Sequence, residues 1–285
     1  MIAELERFGG GRQEHDREPT MISKSRAAAV VIRVMVLISA GLMIFSNGAN
    51  ANAAEVRVLC ANGMRTVLTE LHPQLERATG QRVTMSFGEA GNLRKRVQDG
   101  EIADVIVLPR VVLDQVLADG NIAPGTTVDV AQSSMGIGIR ADAPKPDISS
   151  SDGLKRAFLA AKSIAITDPA TGGVSGVHIA DVFKRLGIAE QLKPKLKLNR
   201  GGPNAEFIAK GEAEMAVQLA HEIRMVPGVQ FIPLPAEFER TFVFSAALGS
   251  KAKESGPSKT ALHFLSGPDA MRVIQAKGMD PVATK

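Results

Sequence analysis

Strand-like and helix-like segments alternate along this chain, and this alternation constrains its fold more than any other feature. Residues 105–108 are apolar at every position, which is typical of a strand buried on both faces of a parallel sheet. Residues 65–79 carry Leu68, Leu71 and Leu75 at helical spacing, which predicts an amphipathic helix. Strand, helix and strand in this order indicate a parallel sheet with helices packed on its faces.

The same patterns predict the other elements and two α/β units in succession. Strands are expected at residues 56–59, 82–87, 104–108, 135–140, 163–167, 195–198, 215–218, 229–232 and 241–248. Helices are expected at residues 65–79, 92–99, 111–118, 175–186, 205–210, 258–265 and 269–277. The last strands and helices are too few for a third domain, so we expect them to complete the first unit.

We therefore predict an α/β protein with two lobes, each a mainly parallel sheet flanked by helices. Residues 54–134 would form the first part of lobe one, 135–244 lobe two, and 245–285 the completion of lobe one. Two segments would cross between the lobes, as in a hinge.

The first 53 residues predict a leader that directs export. Lys24 and Arg26 are basic, an apolar run at 34–45 follows, and Ala-Asn-Ala at 51–53 fits a signal-peptidase cleavage site. The apolar run is shorter than the roughly 20 residues that a membrane-spanning helix needs. We expect a cleaved signal peptide and a periplasmic protein that begins at Ala54, with a membrane anchor as the alternative.

Composition excludes several other classes of protein. The formal net charge of +4 is too small and too scattered to suggest a nucleic-acid partner. Cys60 is the single cysteine, so no intrachain disulfide can form. Tyr and Trp are absent, which leaves phenylalanine as the aromatic side chain that can face a ligand. We expect a monomer.

Four loops with glycine or small polar residues follow predicted strands and precede predicted helices. They lie at residues 61–63, 88–92, 170–176 and 201–204. Ligands of open α/β sheets bind beyond the carboxyl ends of the strands, where helix N-termini offer unpaired N–H groups. Two loops from each lobe would then face each other across a cleft. The alternative is that each loop merely caps its helix.

Motifs for catalysis are weak, so we expect no enzyme, cofactor or metal. The 173–177 segment lacks the last glycine of a nucleophile elbow, and His221-Glu222 lacks a second histidine at metal-ligand spacing. Two alternatives stay open. One is an exported hydrolase or transferase that uses Ser175 or Cys60, and the other is a periplasmic sensor subunit that binds an organic acid.

The loops resemble those of the periplasmic molybdate-binding proteins of ABC transporters. The matching segments are Ala-Asn-Gly-Met at 61–64, Ser-Phe-Gly-Glu-Ala-Gly-Asn-Leu at 86–93, Ala-Asp-Val at 103–105, Thr-Asp-Pro at 167–169 and Leu-Ser-Gly-Pro-Asp-Ala at 265–270. The resemblance implies the type II periplasmic-binding fold, capture of a small oxyanion such as molybdate between two lobes, and delivery to a membrane permease.

The chain departs from the family pattern at the ligand positions. Gly63 replaces a serine, Glu89 and its neighbours replace a serine-rich loop, and Gln218 replaces a tyrosine. Glu89 places negative charge near an anion unless Arg65 offsets it. A different ligand, such as an organic acid or an amine, stays open. The candidate ligand-binding residues are Asn62, Gly63, Met64, Arg65, Glu89, Ala90, Gly91, Asn92, Thr171, Gly172, Gly173, Ser175, Asn204 and Gln218.

Overall fold

The structure, a computed structural model, describes residues 55–252 and 255–282. The predicted leader and its cleavage site lie outside these ranges. The described residues all belong to one unit that spans residues 53–285. Within them, no helix has both the length and the apolar character needed to cross a membrane.

Strands and helices alternate as the sequence predicts. The strands are β1 Glu55–Ala61, β2 Arg82–Gly88, β3 Val105–Pro109, β4 Val128–Arg140, β5 Ile164–Thr167, β6 Leu196–Asn199, β7 Met215–Leu219, β8 Val229–Pro233, β9 Thr241–Leu248 and β10 Asp280–Pro281. The helices are α1 Arg65–Thr79, α2 Ala90–Gln98, α3 Arg110–Ala118, α4 Ser151–Ala160, α5 Val174–Arg185, α6 Ala189–Leu192, α7 Ala205–Ala209, α8 Ala220–Arg224, α9 Ser255–Leu265 and α10 Pro268–Ala276.

One long strand, β4, joins two mainly parallel groups of strands. The strand order is β2-β1-β3-β9-β4-β7-β5-β6, with β8 and β10 also paired to β4. Strands β1, β2 and β3 pair in parallel, and so do β5, β6 and β7. The N-terminal part of β4 pairs with β9, whereas its C-terminal part pairs with β7 and β8. We call β1–β3, β9 and β10 the first half and β5–β8 the second half.

The second passage between the halves lies between β8 and β9. Along its whole length β9 pairs with β3 and the first part of β4. Residues 241–244, which the sequence assigned to lobe two, therefore belong to a strand that pairs with β3 and the first part of β4. The division into lobes at the predicted boundaries stays a proposal.

Sequence reasoning missed α4, α6, α8 and β10 and shortened β4. Helix α4 was not expected, although Ser150 caps it by accepting a hydrogen bond from the Gly153 N–H at 3.1 Å. Leu154, Ala157 and Phe158 form its buried face. Strand β4 begins at Val128, seven residues before the predicted start at 135.

The first-half core packs helix α1 against the sheet through fully buried Leu68, Leu71 and Leu75. Buried Asp104, just before β3, accepts hydrogen bonds at its Oδ2 from the Arg57 backbone N–H at 2.9 Å and from Arg57 Nε at 3.0 Å. These contacts fix β3 beside β1. They therefore set the positions of the loops at the carboxyl ends of both strands.

Candidate functional site

The loops at the carboxyl ends of β1, β2, β5 and β7 meet around one small cavity. Its lining residues are Ala61, Asn62, Gly63, Glu89, Ala90, Pro109, Thr167, Val174, Ser175, Gln218, Leu219, Glu222 and Phe244. The cavity has a volume of about 20 Å³, which is room for about one water molecule. Both halves contribute to the wall, as expected for a ligand site at strand ends of an open α/β sheet.

Two glycines bring the backbones of the two halves into contact. The Gly91 N–H donates to the Gly172 carbonyl at 3.2 Å, so the backbones of the two halves touch. A Cβ at position 91 would lie 2.6 Å from the Gly172 Cα, too close for any side chain. Helices α2 and α5 begin beside this contact, and their first residues, Ala90 and Val174, line the cavity. The partial positive charge of two helix N-termini therefore acts on the cavity.

The packing around residue 63 explains why glycine stands there in place of the serine of the molybdate-binding pattern. A Cβ there would lie 2.7 Å from the Phe244 Cζ and 3.2 Å from the Leu219 Cδ1. The phenyl ring occupies the space that a serine side chain at this position would need. Gly63 is therefore required by packing, and the loop offers backbone groups in place of a hydroxyl.

Glu89 reaches across from the first half to the second. Its Oε1 accepts a hydrogen bond from Asn62 Nδ2 at 2.9 Å, and its Oε2 lies beside the Gly173 backbone of the second half. Asn62 Oδ1 in turn accepts from Arg65 Nη2 at 2.7 Å. Burial raises the pKa of Glu89, while the hydrogen bond from Asn62 and the charge of Arg65 lower it.

Glu222, on α8, provides a second carboxyl group in the same cavity wall. Burial, and next the negative charge of Glu89, raise its pKa to about 8, while hydrogen bonds from the Leu219 backbone and the Gln218 side chain oppose the shift. Lys, Arg and His are absent from the residues that line the cavity. Charge within it therefore comes from Glu89 and Glu222.

A buried polar network supports the second-half wall. Ser175 Oγ donates to Thr167 Oγ1 at 3.1 Å, and Asn204 Nδ2 donates to the Val217 carbonyl at 2.9 Å and to Thr167 Oγ1 at 3.3 Å. The Asn204 N–H donates to Gln218 Oε1 at 2.5 Å. The network fixes the Gln218 amide and the two hydroxyl groups at the cavity.

His221 ties this wall to the first half. Its Nε2 lies 2.9 Å from the Gly63 carbonyl and its Nδ1 2.9 Å from Ser133 Oγ on β4. Burial lowers the pKa of His221 to about 4, so the ring is neutral at pH 7. Since a carbonyl only accepts, Nε2 carries the proton and Nδ1 accepts from the Ser133 hydroxyl.

The structure brings part of the predicted set together at the cavity. The members that line it are Asn62, Gly63, Glu89, Ala90, Ser175 and Gln218.

The remaining predicted residues lie near the cavity without lining it. Met64 is fully buried in the core, Asn92 is exposed, and the Arg65 guanidinium stacks over the Phe87 ring at 4.4 Å. Thr171 Oγ1 donates to the Asp168 carbonyl at 2.7 Å. The other predicted residues hold neighbouring groups in place through their backbones or side chains. They are Gly91, Gly172, Gly173 and Asn204.

Thr167, His221, Glu222 and Phe244 were not predicted. Thr167 belongs to the Thr-Asp-Pro segment that matches the molybdate-binding family, and Glu222 follows the predicted strand at 215–218. The position of both residues at the end of a strand could therefore have identified them as site residues. His221 and Phe244 reach the site only through packing.

Among the described residues, neither candidate nucleophile is hydrogen-bonded to a general base. Cys60 is fully buried, and burial raises the pKa of its thiol. Ser175 donates to Thr167, while His178 Nε2 lies 2.9 Å from the Phe238 carbonyl, so the two side chains are committed elsewhere. Within the described ranges no three His, Cys, Asp or Glu side chains are grouped as metal ligands would be.

A wider groove of about 590 Å³ is lined by the two contacting glycines, Gly91 and Gly172. Val111 and Val177, 46% and 51% exposed, contribute from opposite halves. Arg240 lies at its edge, with its guanidinium 5.4 Å from the centre of the Phe242 ring.

Comparisons with known proteins identify a family and several relatives of this chain. A family model described as bacterial extracellular solute-binding protein matches residues 56–280. An aconitate isomerase from Pseudomonas sp. is 30% identical over 232 residues, which is 79% of this chain and 87% of the relative. The molybdate-binding protein ModA from Azotobacter vinelandii is 26% identical over 251 residues, 86% of this chain and 96% of the relative.

Solved structures share the architecture. The periplasmic molybdate-binding protein of Azotobacter vinelandii superimposes with a TM-score of 0.65 at 20% identity, covering 81% of this chain and all of that one. A periplasmic thiamin-binding protein superimposes with a TM-score of 0.66 at 16% identity, covering 83% and 86%. At these identities the likeness establishes the fold alone.

Proposed function

Because this chain belongs to the family of bacterial extracellular solute-binding proteins, we propose that it captures a small oxyanion, foremost an organic acid, between its two lobes. The observation that carries the proposal is the cavity itself. Loops at four strand ends, drawn from both halves, surround it, and the two halves touch at Gly91 and Gly172. The cavity has room for about one water molecule, so an organic acid requires the halves to separate at this contact and to close around it with a larger cavity.

An anionic ligand is supported by the donors around the cavity. The N-termini of α2 and α5, the hydroxyls of Thr167 and Ser175, and the amides of Asn62 and Gln218 surround it. Helix N-termini and neutral donors of this kind stabilise anionic oxygens.

A carboxylate is favoured over molybdate because of charge. Molybdate carries two negative charges, and it would face Glu89 and Glu222 in a wall without a cation. An organic acid that places one carboxylate group in this wall meets half of that repulsion there, even where its other carboxylates lie outside the cavity. The 30% identical relative named aconitate isomerase supports the same ligand class.

Export and delivery complete the proposal. The predicted signal peptide would take the protein to the periplasm, and an ABC transporter permease would receive the ligand. Homologues named as molybdate-binding proteins support this assignment.

A thermal-denaturation screen tests the proposed function. The purified protein is heated with cis-aconitate, trans-aconitate, molybdate, sulfate or thiamin. A ligand present at about 100 times its Kd stabilises the folded state by about 2.7 kcal/mol. We expect the carboxylates to raise Tm most. No shift with any carboxylate or inorganic oxyanion would contradict the proposal.

Isomerisation of a tricarboxylic acid is the second candidate. Two carboxyl groups with raised pKa values in one cavity suit the removal of a proton from one carbon and its return to another. The expectation of no catalysis therefore stays a prediction. The test incubates the protein with cis-aconitate and follows the trans isomer by NMR. Turnover that Glu222→Gln and Glu89→Gln both abolish would establish the isomerase, and absent turnover would leave capture alone.

A further inference from the structure

The Glu89 side chain turns away from its own helix and reaches the other half. Glu89 is the N-cap residue of α2, yet its side chain accepts no hydrogen bond from the first turn of that helix. Its carboxylate lies in the cavity wall, with Oε2 beside the backbone of Gly173, the N-cap residue of α5. A carboxylate from the first half therefore lies at the start of a helix in the second half.

The start of α5 has a place that a side chain usually fills. An N-cap residue commonly offers a side-chain oxygen to the first N–H groups of its helix, and Gly173 has no side chain. Among atoms outside residues 172–174, Glu89 Oε2 is the nearest to the position that a Cβ of residue 173 would take. The carboxylate thus places negative charge where the helix dipole favours it.

The groups around the Glu89 carboxylate are those that a carboxylate ligand would use. Asn62 Nδ2 donates to Oε1 at 2.9 Å, and the start of α5 lies beside Oε2. With this side chain in place, the cavity has room for about one water molecule. A ligand carboxylate can therefore use these groups only after Glu89 has moved.

Arg65 offers the Glu89 carboxylate a second position. The Arg65 guanidinium donates through Nη2 to Asn62 Oδ1 at 2.7 Å and lies over the Phe87 ring. Among the described residues these are the partners of this guanidinium, and neither of them carries a charge. Because the Asn62 amide bonds to both side chains, Glu89 can exchange that amide for the Arg65 cation by rotating about its side-chain bonds.

We propose that the Glu89 carboxylate occupies, in this closed arrangement, the place of the ligand's anchoring carboxylate, and that a bound acid displaces it toward Arg65. This inference rests on the proposed function and names the residue that the ligand replaces. A single carboxylate group replaces Glu89 charge for charge, whereas molybdate would bring two negative charges to the place of one. Glu89 therefore favours acids that present one carboxylate at this point.

Glu89→Ala tests this placement with acetate as the probe. The substitution removes a CH₂–COO⁻ group, and acetate has the same heavy atoms, so acetate should enter the vacated space and accept from Asn62. Calorimetric titration at constant ionic strength should give a Kd for acetate at least about tenfold lower in Glu89→Ala than in the unmodified protein. Acetamide, which has the same size but no charge, should bind at least about tenfold more weakly than acetate.

Glu212→Ala is the matched control, because Glu212 is exposed and lies outside the cavity wall. It should bind acetate no better than the unmodified protein does. Absence of saturable acetate binding to folded Glu89→Ala would overturn the inference, as would equal acetate affinity in all three proteins. An affinity that Asn62→Ala, added to Glu89→Ala, leaves unchanged would place the acetate elsewhere and overturn it too.

Glu89→Gln keeps the size of the side chain and serves where Glu89→Ala does not fold. Its neutral amide gives way to an anion more easily than the carboxylate does, so acetate should bind severalfold more tightly than to the unmodified protein. An unchanged or weaker affinity would show that the Glu89 carboxylate does not compete with the probe, and the inference would fall. If trans-aconitate does not bind the unmodified protein, the proposed function fails, whereas the acetate titrations decide this inference by themselves.

Discussion

His221 makes folding stability depend on pH in a defined direction. Its ring is fully buried and neutral, with Nε2 bonded to the Gly63 carbonyl and Nδ1 to Ser133 Oγ. An unfolded histidine binds a proton near pH 6.5, whereas burial lowers the pKa of this one to about 4 in the folded protein. Between these values the unfolded state binds more protons, so stability is present above pH 6.5 and is lost as pH falls toward 4.

The size of this loss of folding stability follows from the difference between the two pKa values of His221. One pKa unit corresponds to about 1.36 kcal/mol, so the interval from 6.5 to about 4 amounts to about 3.4 kcal/mol. Glu222 contributes with the opposite sign, because its raised pKa means that stability is lost as pH rises from 4.5 toward 8. A variant that removes only the histidine isolates the first contribution.

The variant is His221→Gln, which keeps an N–H donor for the Gly63 carbonyl but does not titrate. Urea denaturation at pH 7.5, 6.5, 5.5 and 4.5 gives the free energy of unfolding of each protein. We expect the variant to be less stable than the unmodified protein at pH 7.5 by about 1–3 kcal/mol, because the bond with Ser133 is weakened. The difference should shrink by about 2–3 kcal/mol toward pH 4.5.

His263→Gln is the control, since His263 is exposed on α9 and its substitution should leave the pH profile unchanged. Parallel profiles for the unmodified protein and His221→Gln would refute the assignment of a neutral, buried ring. A profile for His263→Gln that flattens equally would show that the pH dependence comes from exposed histidines.

Three further predictions concern export, the cleft serine and closure. Intact-mass measurement of the exported protein should give an N-terminus near Ala54, and a full-length cytoplasmic chain would contradict the leader. Ser175→Ala should lower stability or affinity by about 0.5–1.5 kcal/mol through its lost hydrogen bond, whereas His178→Ala should change affinity little. Ester turnover by the unmodified protein that both substitutions abolish would revive the hydrolase alternative. Gly91→Val should weaken trans-aconitate binding at least tenfold, because its side chain blocks closure; Gly201→Ala, with open space around it, should not.

Much of the fold could be predicted because local pattern and tertiary packing agree. The spacing of Leu68, Leu71 and Leu75 predicts α1, and the apolar run at 105–108 predicts β3. The two-lobed α/β class and the resemblance to molybdate-binding proteins are confirmed by the family model and by the solved structures. The first part of β4 was missed because its mixed polar and apolar residues gain strand structure only by pairing with β9.

The sequence predicted only those site residues whose position follows from the order of strands and loops. Strand-end position and glycine content indicated Asn62, Glu89 and Ser175, which line the cavity. The roles of His221 and Glu222 depend on burial and on a facing charge from a distant loop, which no local pattern encodes. The clash of a side chain at Gly63 with Phe244 is likewise a long-range contact.

Small-angle scattering with and without saturating trans-aconitate tests the central claim, that two lobes close around a small acid. We expect a smaller radius of gyration with the acid, and no such decrease in Gly91→Val. An identical radius in the unmodified protein, with binding shown to be saturated by calorimetry, would contradict capture by closure.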